Sequence, residues 1–508
     1  MALRLETFGL RVPARETATF RKMLKGCEMR RANVNPVQPD PEAAARRVLL
    51  VSTEHKDVDA LLAAMDVKDA DALQAALDGG TADVVAPFVI NLGYDALSLA
   101  ECLRQLIPPD NVPDADLQGG SFELVGRVAH VNLRENMLPY KHVFGEVLAD
   151  KNARVEVVVN KTSATKNEFR VFPMEVLYGP PSIGDDGELS LVTEVKQGAF
   201  TFELDYARVY WNSRLEREHA RICDTYLLRA PARGGSTVLA DLYCGIGPFV
   251  VPAASSDGPK GGCNCVVYAN DLNPDSVKWL RANVRRNKCS ANVVDTSVDD
   301  AVLYARKLVR RGVRFDHAIM NLPALAVDHL APAFQGLLNF DELAEDIGDA
   351  GARAAADAWE GWDADPPWIH VYCFVRGNTS SGGRGDGTGR AAAELEAAHT
   401  RDAKRLVMHR LHLGTRGDAE SGEPAAKRRR APKYADTEFE AIYDEGDLAS
   451  IDAAAESRFR CDAHVVRNVA PGKVMVCVSF PLPPEVARRP SPADVRARLH
   501  AAAEEVTL

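Results

Sequence analysis

The sequence predicts an α/β protein. Its carboxy-terminal half reads as a doubly wound, mostly parallel sheet with an antiparallel hairpin at the end. A β-rich α+β central domain and a small, mostly helical amino-terminal domain precede it. Three observations predict this. From residue 237 onward, short apolar runs alternate with amphipathic helical stretches, the pattern of a parallel sheet covered on both faces. Between 120 and 212, the segments alternate or run apolar with β-branched and aromatic residues, as strands do. Residues 40–110 carry helical spacings instead. The domains that follow are 1–115, 116–232 and 233–490, the last interrupted by an exposed, partly disordered insertion at 377–436.

In chain order, Met1 to Arg31 holds eight Lys or Arg and three Glu. The glutamates count against a mitochondrial presequence, so this reads as the ordinary start of a folded domain. Leu61, Leu62, Met65, Leu73 and Leu77 lie at helical spacings and Gly79-Gly80 stop the helix. A short apolar run and an amphipathic helix then end at Pro108-Pro109. Strands follow in FELVGRVAHVNL, ARVEVVVNK, FRVFPMEVLYG and AFTFELDYARVYW, then in TVLADLY, VVYAND, FDHAIMNLP and PWIHVYCFVR. The last two, AHVVRNVA and KVMVCVSFPL, are joined by Pro471-Gly472 and belong at a sheet edge.

Composition excludes some classes. A net charge of −11 argues against a chain held to nucleic acid by bulk charge, though not against a local basic surface. No stretch of 18 apolar residues exists, so no membrane span is expected. Ten cysteines without a framework fit a reducing compartment, and the close pair Cys263 and Cys265 reads as a loop, not a zinc site. The run Lys427 to Arg430 is either a nuclear address or a solvated charge cluster.

The strongest chemical signal is Asp241-Leu-Tyr-Cys-Gly-Ile-Gly-Pro-Phe249. A strand ends in an acid, and a turn built on Gly245 and Gly247 opens a helix, so backbone can approach a ligand closely. The third glycine of a dinucleotide fingerprint is absent and Pro248 stands next, against a nicotinamide cofactor. Asp271 closes the next strand, where a carboxylate can accept both hydroxyls of a ribose, while Asn273 before Pro274 can cap the following helix. Asp299 lies between VVYAND and FDHAIM, after a further strand, and can face an adenine; Asn321-Leu322-Pro323 follows FDHAIM.

These motifs bring the chain to a known family. RVAHVNLRENMLPYKHVFGEVLADKN (127–152), VVNKTSATKNEFRVFPMEVLYG (158–179), VYWNSRLEREHARI (209–222), DLYCGIGPF (241–249), ANDLNPDSVKWL (269–280), NLP (321–323) and VVRNVAPGKVMVCVSF (465–480) resemble the eukaryotic and archaeal tRNA guanine-N1-methyltransferases acting at position 37. The resemblance implies a class I methyltransferase domain, S-adenosylmethionine as cofactor, and tRNA with guanosine at position 37 as partner. It also implies a monomer without a membrane, in cytoplasm, nucleus or mitochondrial matrix. By motif, Glu218 matches the general base and Arg170 its electrostatic partner, with Asn321 beside them. His219, Asp241, Tyr243, Gly245, Gly247, Asp271, Leu272, Asp299 and Asn321 match cofactor contacts. SVDDAV around Asp299 and Tyr243-Cys244 depart mildly from the family pattern. The residues alone read differently: RLEREHAR would be a solvated helix face and Arg170 a surface charge.

The chemistry explains why such residues are needed. Guanine N1 is protonated at neutral pH, so a base must remove that proton as the methyl arrives. Charge then spreads to O6, where a guanidinium stabilises it and, bonding O6 and N7 together, selects guanine. Rivals are an aminocarboxypropyl transferase on the same nucleotide, an exocyclic-amine methyltransferase, whose stacking aromatic Leu322 and Ala324 do not supply, and a non-catalytic RNA-binding module. Arg285, Arg286 and Lys288, and Arg306, Lys307, Arg310, Arg311 and Arg314, end two helices; they either meet phosphate or complement the helix dipoles.

Overall fold

The computed structural model describes residues 2–108, 110–118, 122–162, 169, 171–180, 182–256, 262–376, 389–414, 448–470 and 472–505. The chain divides into two compact units: residues 1–124, 128–161 and 175–180, and residues 125–127, 162–174 and 181–508. The expected boundary at 115/116 falls inside the first unit, and that at 232/233 inside the second.

The first unit is not mostly helical. Strands β1 (Ala2–Pro13), β2 (Val37–Pro39), β3 (Arg46–Leu50) and β4 (Asp83–Gly93) form an antiparallel sheet in the order β2-β3-β1-β4. The helices Thr17–Met23, Val58–Ala64 and Val67–Asp78 lay Phe20, Leu61 and Leu73 on the Leu10 and Val12 face of it. Local spacing over 57–77 showed the helices, but β1 and β4 are partners only through long-range pairing, which no window reveals. A second sheet follows, of β5 (Glu123–Val125), β6 (Val128–Val131), β7 (Val157–Lys161) and β8 (Met174–Tyr178), with β6 and β7 parallel. The helix Lys141–Asp150 buries Phe144 and Leu148 beside Val158.

The second unit opens with two short hairpins, β9 (Ser182–Ile183) with β10 (Leu189–Ser190), and β11 (Val192–Gln197) with β12 (Phe200–Asp205). Its body is a seven-stranded sheet of β13 (Val238–Asp241), β14 (Val266–Asn270), β15 (Val293–Ser297), β16 (His317–Met320), β17 (Trp368–Arg376), β18 (Asp462–Ala470) and β19 (Lys473–Pro481). The order is β15-β14-β13-β16-β17-β19-β18. β13 to β17 are parallel, and β19 runs antiparallel between β17 and β18. This is the doubly wound sheet with its edge hairpin that the sequence predicts. The order reverses at β13, and ligands bind open sheets at such a switch point, beyond the carboxyl ends of the strands.

Part of the expected insertion 377–436 is not an exposed loop. The helix Gly389–Arg410 joins the core, and Ala403, Leu406, Val407 and Leu411 are fully buried with Val476 and Phe480. Those four share one face at helical spacing, a stripe hidden among the charges of TRDAKRLVMHR. The rest of it, 377–388 and 415–436 with Lys427 to Arg430, lies outside the described residues. Among the described residues, no helix is long and apolar enough to cross a membrane.

Candidate active site at the carboxyl edge of the sheet

The turn after β13 is shaped by its two glycines. Gly245 and Gly247 both hold positive φ, +53° and +101°, where side chains are strained. A Cβ on Gly247 would lie 2.6 Å from Leu280 Cδ1, so this glycine lets the helix Pro274–Arg286 pack close. A Cβ on Gly245 would meet nothing within 4 Å, so that face of the turn is open. Asp271 fixes the turn from the next strand end, accepting from Gly245 N at 2.8 Å and from Asn273 N at 2.9 Å. Asn273 in turn caps the helix, accepting from Asp275 N at 2.9 Å. At this motif Asn273 caps the helix, while Asp271 holds the glycine turn.

Buried polar atoms without partners mark the rest of the edge. Asp241 is fully buried; its Oδ1 accepts from Tyr243 N at 3.3 Å, and its Oδ2 has no partner. Burial, with Asp271 nearby, pushes the Asp241 carboxyl up to about 8. Burial raises Asp271 as well. Asn321 Oδ1, just past β16, and Asn270 Oδ1, at the end of β14, are also buried and unpartnered. Such groups are costly unless something completes them. A ligand with a cationic amine, vicinal hydroxyls and an amide-like base edge fits this donor and acceptor set.

Other predicted contacts are differently placed. Tyr243 hydroxyl meets His329 Nδ1 at 2.5 Å and their rings stack. Asp299 Oδ2 is held by Lys307 Nζ at 2.6 Å and its carbonyl by Asn270 Nδ2 at 2.9 Å. Leu272 is 45% exposed. Sequence reasoning missed a second apolar residue there. Val298 is 47% exposed and follows Ser297, whose carbonyl accepts from Asp271 N at 3.3 Å. The signal was available: an apolar residue straight after a strand, opposite Leu272 in motif order.

Glu218 and His219 lie on the helix Glu216–Ile222, which buries both, so RLEREHAR is not a solvated face. Asn212 caps the 3-10 turn Ser213–Leu215 that leads into it, accepting from Arg214 N at 3.1 Å. Glu218 is only 4% exposed. Arg221 Nε and Nη2 each donate to it at 2.7 Å, and Tyr372 hydroxyl donates to Oε1 at 2.8 Å. His464 Nε2 stands 3.9 Å from Oε2. Val371 pairs with Met320, so Tyr372 is level with Asn321 and brings Glu218 to the same sheet edge. The His219 ring meets Phe249 edge-on at 4.6 Å, which ties this helix to the glycine turn. Gln197 lies 2.9 Å from His219 Nδ1, while Nε2 has no partner. Burial pushes the imidazole down to about 3, so it is neutral. Arg170 lies outside the described residues.

Residues 193–340 match the family model of the TRM5/TYW2 methyltransferase domain, and residues 99–182 that of the TYW2 N-terminal domain. The chain is 32% identical to the tRNA (guanine(37)-N(1))-methyltransferase of Phytophthora infestans, over 98% of this chain and 96% of that one. It belongs to the tRNA (guanine(37)-N(1))-methyltransferase family. It is also 34% identical to tRNA (guanine(37)-N(1))-methyltransferase 1 of Phaeodactylum tricornutum, over 72% of each chain. Among solved structures, Trm5b from Pyrococcus abyssi is similar at 18% identity and a TM-score of 0.48, over 94% of this chain and 99% of that one.

Most of the cations considered for tRNA are already engaged. Arg306 is buried and donates to the carbonyls of Pro332 and Gln335. Lys307 pairs with Asp299, Arg310 with Asp346 and Arg311 with Asp295. Arg314 donates to the Glu360 carbonyl, and Arg286 pairs with Glu194 and Glu203. Arg285 and Lys288 remain exposed at the end of the helix Pro274–Arg286. Spacing could not distinguish these cases, because the partner acids come from distant segments.

Proposed function

We propose that this chain transfers a methyl group from S-adenosylmethionine to N1 of guanosine 37 of tRNA, with Glu218 removing the N1 proton. The observation that carries the reading is the place of Glu218, buried beside Tyr372 at the level of Asn321 on a helix that packs on the glycine turn. Family membership over nearly the whole chain supports the same reaction.

When bound, the cofactor supplies an electrophilic methyl carried on a sulfonium. Asp241, with its unpartnered Oδ2, would accept from its amino group, and Asp271 from its ribose hydroxyls. Gly245 leaves room for close backbone approach, and Leu272 and Val298 offer apolar contact to a flat base. Neutral His219 presents Nε2 without adding a positive charge to a site that takes a cation.

Arg221 spans both oxygens of Glu218 and Tyr372 adds a third contact, so the carboxylate is fixed in orientation before substrate arrives. Taking the N1 proton neutralises it and loosens the Arg221 pair, which re-forms when the proton leaves. The half-exposed His464, 3.9 Å away, offers that proton a way to solvent. As N1 loses its proton, charge gathers on O6, and the resemblance assigns Arg170 to meet it there. The Asn321 amide completes the base-binding edge.

The test is transfer of labelled methyl to tRNA transcripts with G or A at position 37, followed by mapping of the product. Label on N1 of G37 alone is expected; equal label on both transcripts sinks the guanine assignment. The mass of the product separates methyl from aminocarboxypropyl transfer.

A further inference from the structure

Two neighbouring strands carry the two halves of the site. β13 ends in Asp241, and the glycine turn assigned to the cofactor follows it. β16 ends at Met320, and Asn321 opens the next segment, assigned to the base. Asp241 pairs with Ile319, and Leu242 N donates to Ile319 O at 3.0 Å. Further out, a side-chain contact joins the two segments again. The Tyr243 hydroxyl and His329 Nδ1 are hydrogen-bonded at 2.5 Å, and their rings stack 24° from parallel with centroids 6.2 Å apart.

Both ends of this contact are anchored. On one side, Tyr243 N donates to Asp241 Oδ1 at 3.3 Å, so Tyr243 follows the acid whose other oxygen has no partner. On the other, the segment after Asn321 coils in tight turns. Leu325 N and Ala326 N donate to Leu322 O at 2.9 and 2.8 Å, and His329 N donates to Leu325 O and Ala326 O at 3.2 Å. His329 opens the helix Leu330–Phe334 without capping it through its side chain, which bonds Tyr243 instead. Tyr243 and Leu322 also pack on the same core. A shift at His329 therefore reaches Leu322 through successive turns, and Asn321 beside it. Tyr243 is one of the positions at which the chain departs from the family pattern.

We propose that Tyr243 is a positioning residue that couples the two halves, so that a filled cofactor site tightens the binding of tRNA. The inference rests on the methyl-transfer reading. A cationic amine beside Asp241 keeps its carboxylate ionised, and a charged acceptor holds Tyr243 N more firmly than a neutral carboxyl does. The turn then fixes the Tyr243 ring, the ring fixes His329, and the coiled segment sets Asn321 for the base. With the cofactor site empty, Tyr243 N is held more weakly, and tRNA must order the base-binding edge itself at a cost in affinity. The coupling is reciprocal, so tRNA tightens the cofactor by the same factor. A single hydrogen bond transmits it, which sets the factor at about three- to tenfold.

The experiment measures binding of a labelled G37 tRNA transcript to the full chain, with and without saturating S-adenosylhomocysteine. That molecule keeps the amine and ribose of the cofactor but has no methyl to give, so binding is read without turnover. In the wild type, it should tighten tRNA by about three- to tenfold. In Tyr243→Phe, which keeps the ring and its stack but loses the hydroxyl, the ratio of the two tRNA affinities should fall to about one. His329→Phe should lose the coupling equally, and the double variant should lose nothing more. His329→Gln, whose amide oxygen can accept from the hydroxyl, should keep part of it. A wild-type ratio of about one, or an unchanged ratio in Tyr243→Phe and His329→Phe, overturns the coupling. So does a loss of S-adenosylhomocysteine affinity in Tyr243→Phe with the ratio intact, which makes Tyr243 a cofactor contact only. Failure of the methyl-transfer reading looks different: none of the proteins binds the transcript at any level of S-adenosylhomocysteine, and both inferences fall.

Discussion

Two neighbouring regions of the second unit handle their polar groups in opposite ways. Along the helix Ala301–Arg310 and just beyond it, the cations are matched inside the protein: Lys307 with Asp299, Arg310 with Asp346, Arg311 with Asp295. At the glycine turn and the ends of β14 and β16, polar atoms are buried and left incomplete: Asp241 Oδ2, Asn270 Oδ1 and Asn321 Oδ1. The first region is electrostatically finished and the second is not. A protein tolerates unfinished buried groups where a ligand completes them, so function is read from deficits in hydrogen bonding more than from surplus charge.

Substitutions can break or sharpen this contrast. The largest effect is expected at Glu218. Glu218→Gln should retain cofactor affinity by calorimetry and lose about 10²- to 10⁴-fold in single-turnover methyl transfer. Full activity in that variant would remove the base from the mechanism.

Asp241→Asn comes next and has two readouts. Loss of a charged acceptor should weaken S-adenosylmethionine binding by about 10- to 100-fold, measured by calorimetry. In the ligand-free protein the sign reverses. A carboxyl raised from 3.8 to about 8 contributes stability that is present at low pH and lost as pH climbs through about 8. The variant's melting temperature should therefore exceed the wild type's by a margin that widens from pH 5 to pH 8. A margin independent of pH would show that Asp241 is not a strained, buried acid.

Tyr372→Phe removes one of three contacts on Glu218 and leaves the Arg221 clamp. A several-fold fall in kcat with an unchanged KM for cofactor is expected, about 1 kcal/mol in the barrier. A change in cofactor KM alone would place Tyr372 with binding instead.

The smallest effect belongs to the finished region. Arg311→Ala should lower stability slightly but leave the salt dependence of tRNA binding in place. A true phosphate contact would change the slope of log K against log salt by nearly one. Such a change would mean that the pair with Asp295 opens for RNA, and the contrast between the regions would fail.

The sequence alone was sufficient for the parallel strands, the edge hairpin, the glycine turn and the acids after β13 and β14. Each is set by neighbours within a few residues: apolar runs, positive-φ glycines, a capping Asn before Pro274. It also carried the family resemblance, which pointed to Glu218 when the local pattern argued for solvent. Tertiary structure alone decided the rest. It paired β1 with β4 in a domain expected to be mostly helical, and drew the stripe of Ala403, Leu406 and Val407 into the core. It buried Glu218 between Arg221 and Tyr372, and gave Arg310 and Arg311 their acids. The reason is common to all of these. Spacing along the chain encodes which face a side chain takes, but the energy of a buried charge or thiol depends on partners from distant segments, and those meet only when the sheet has formed.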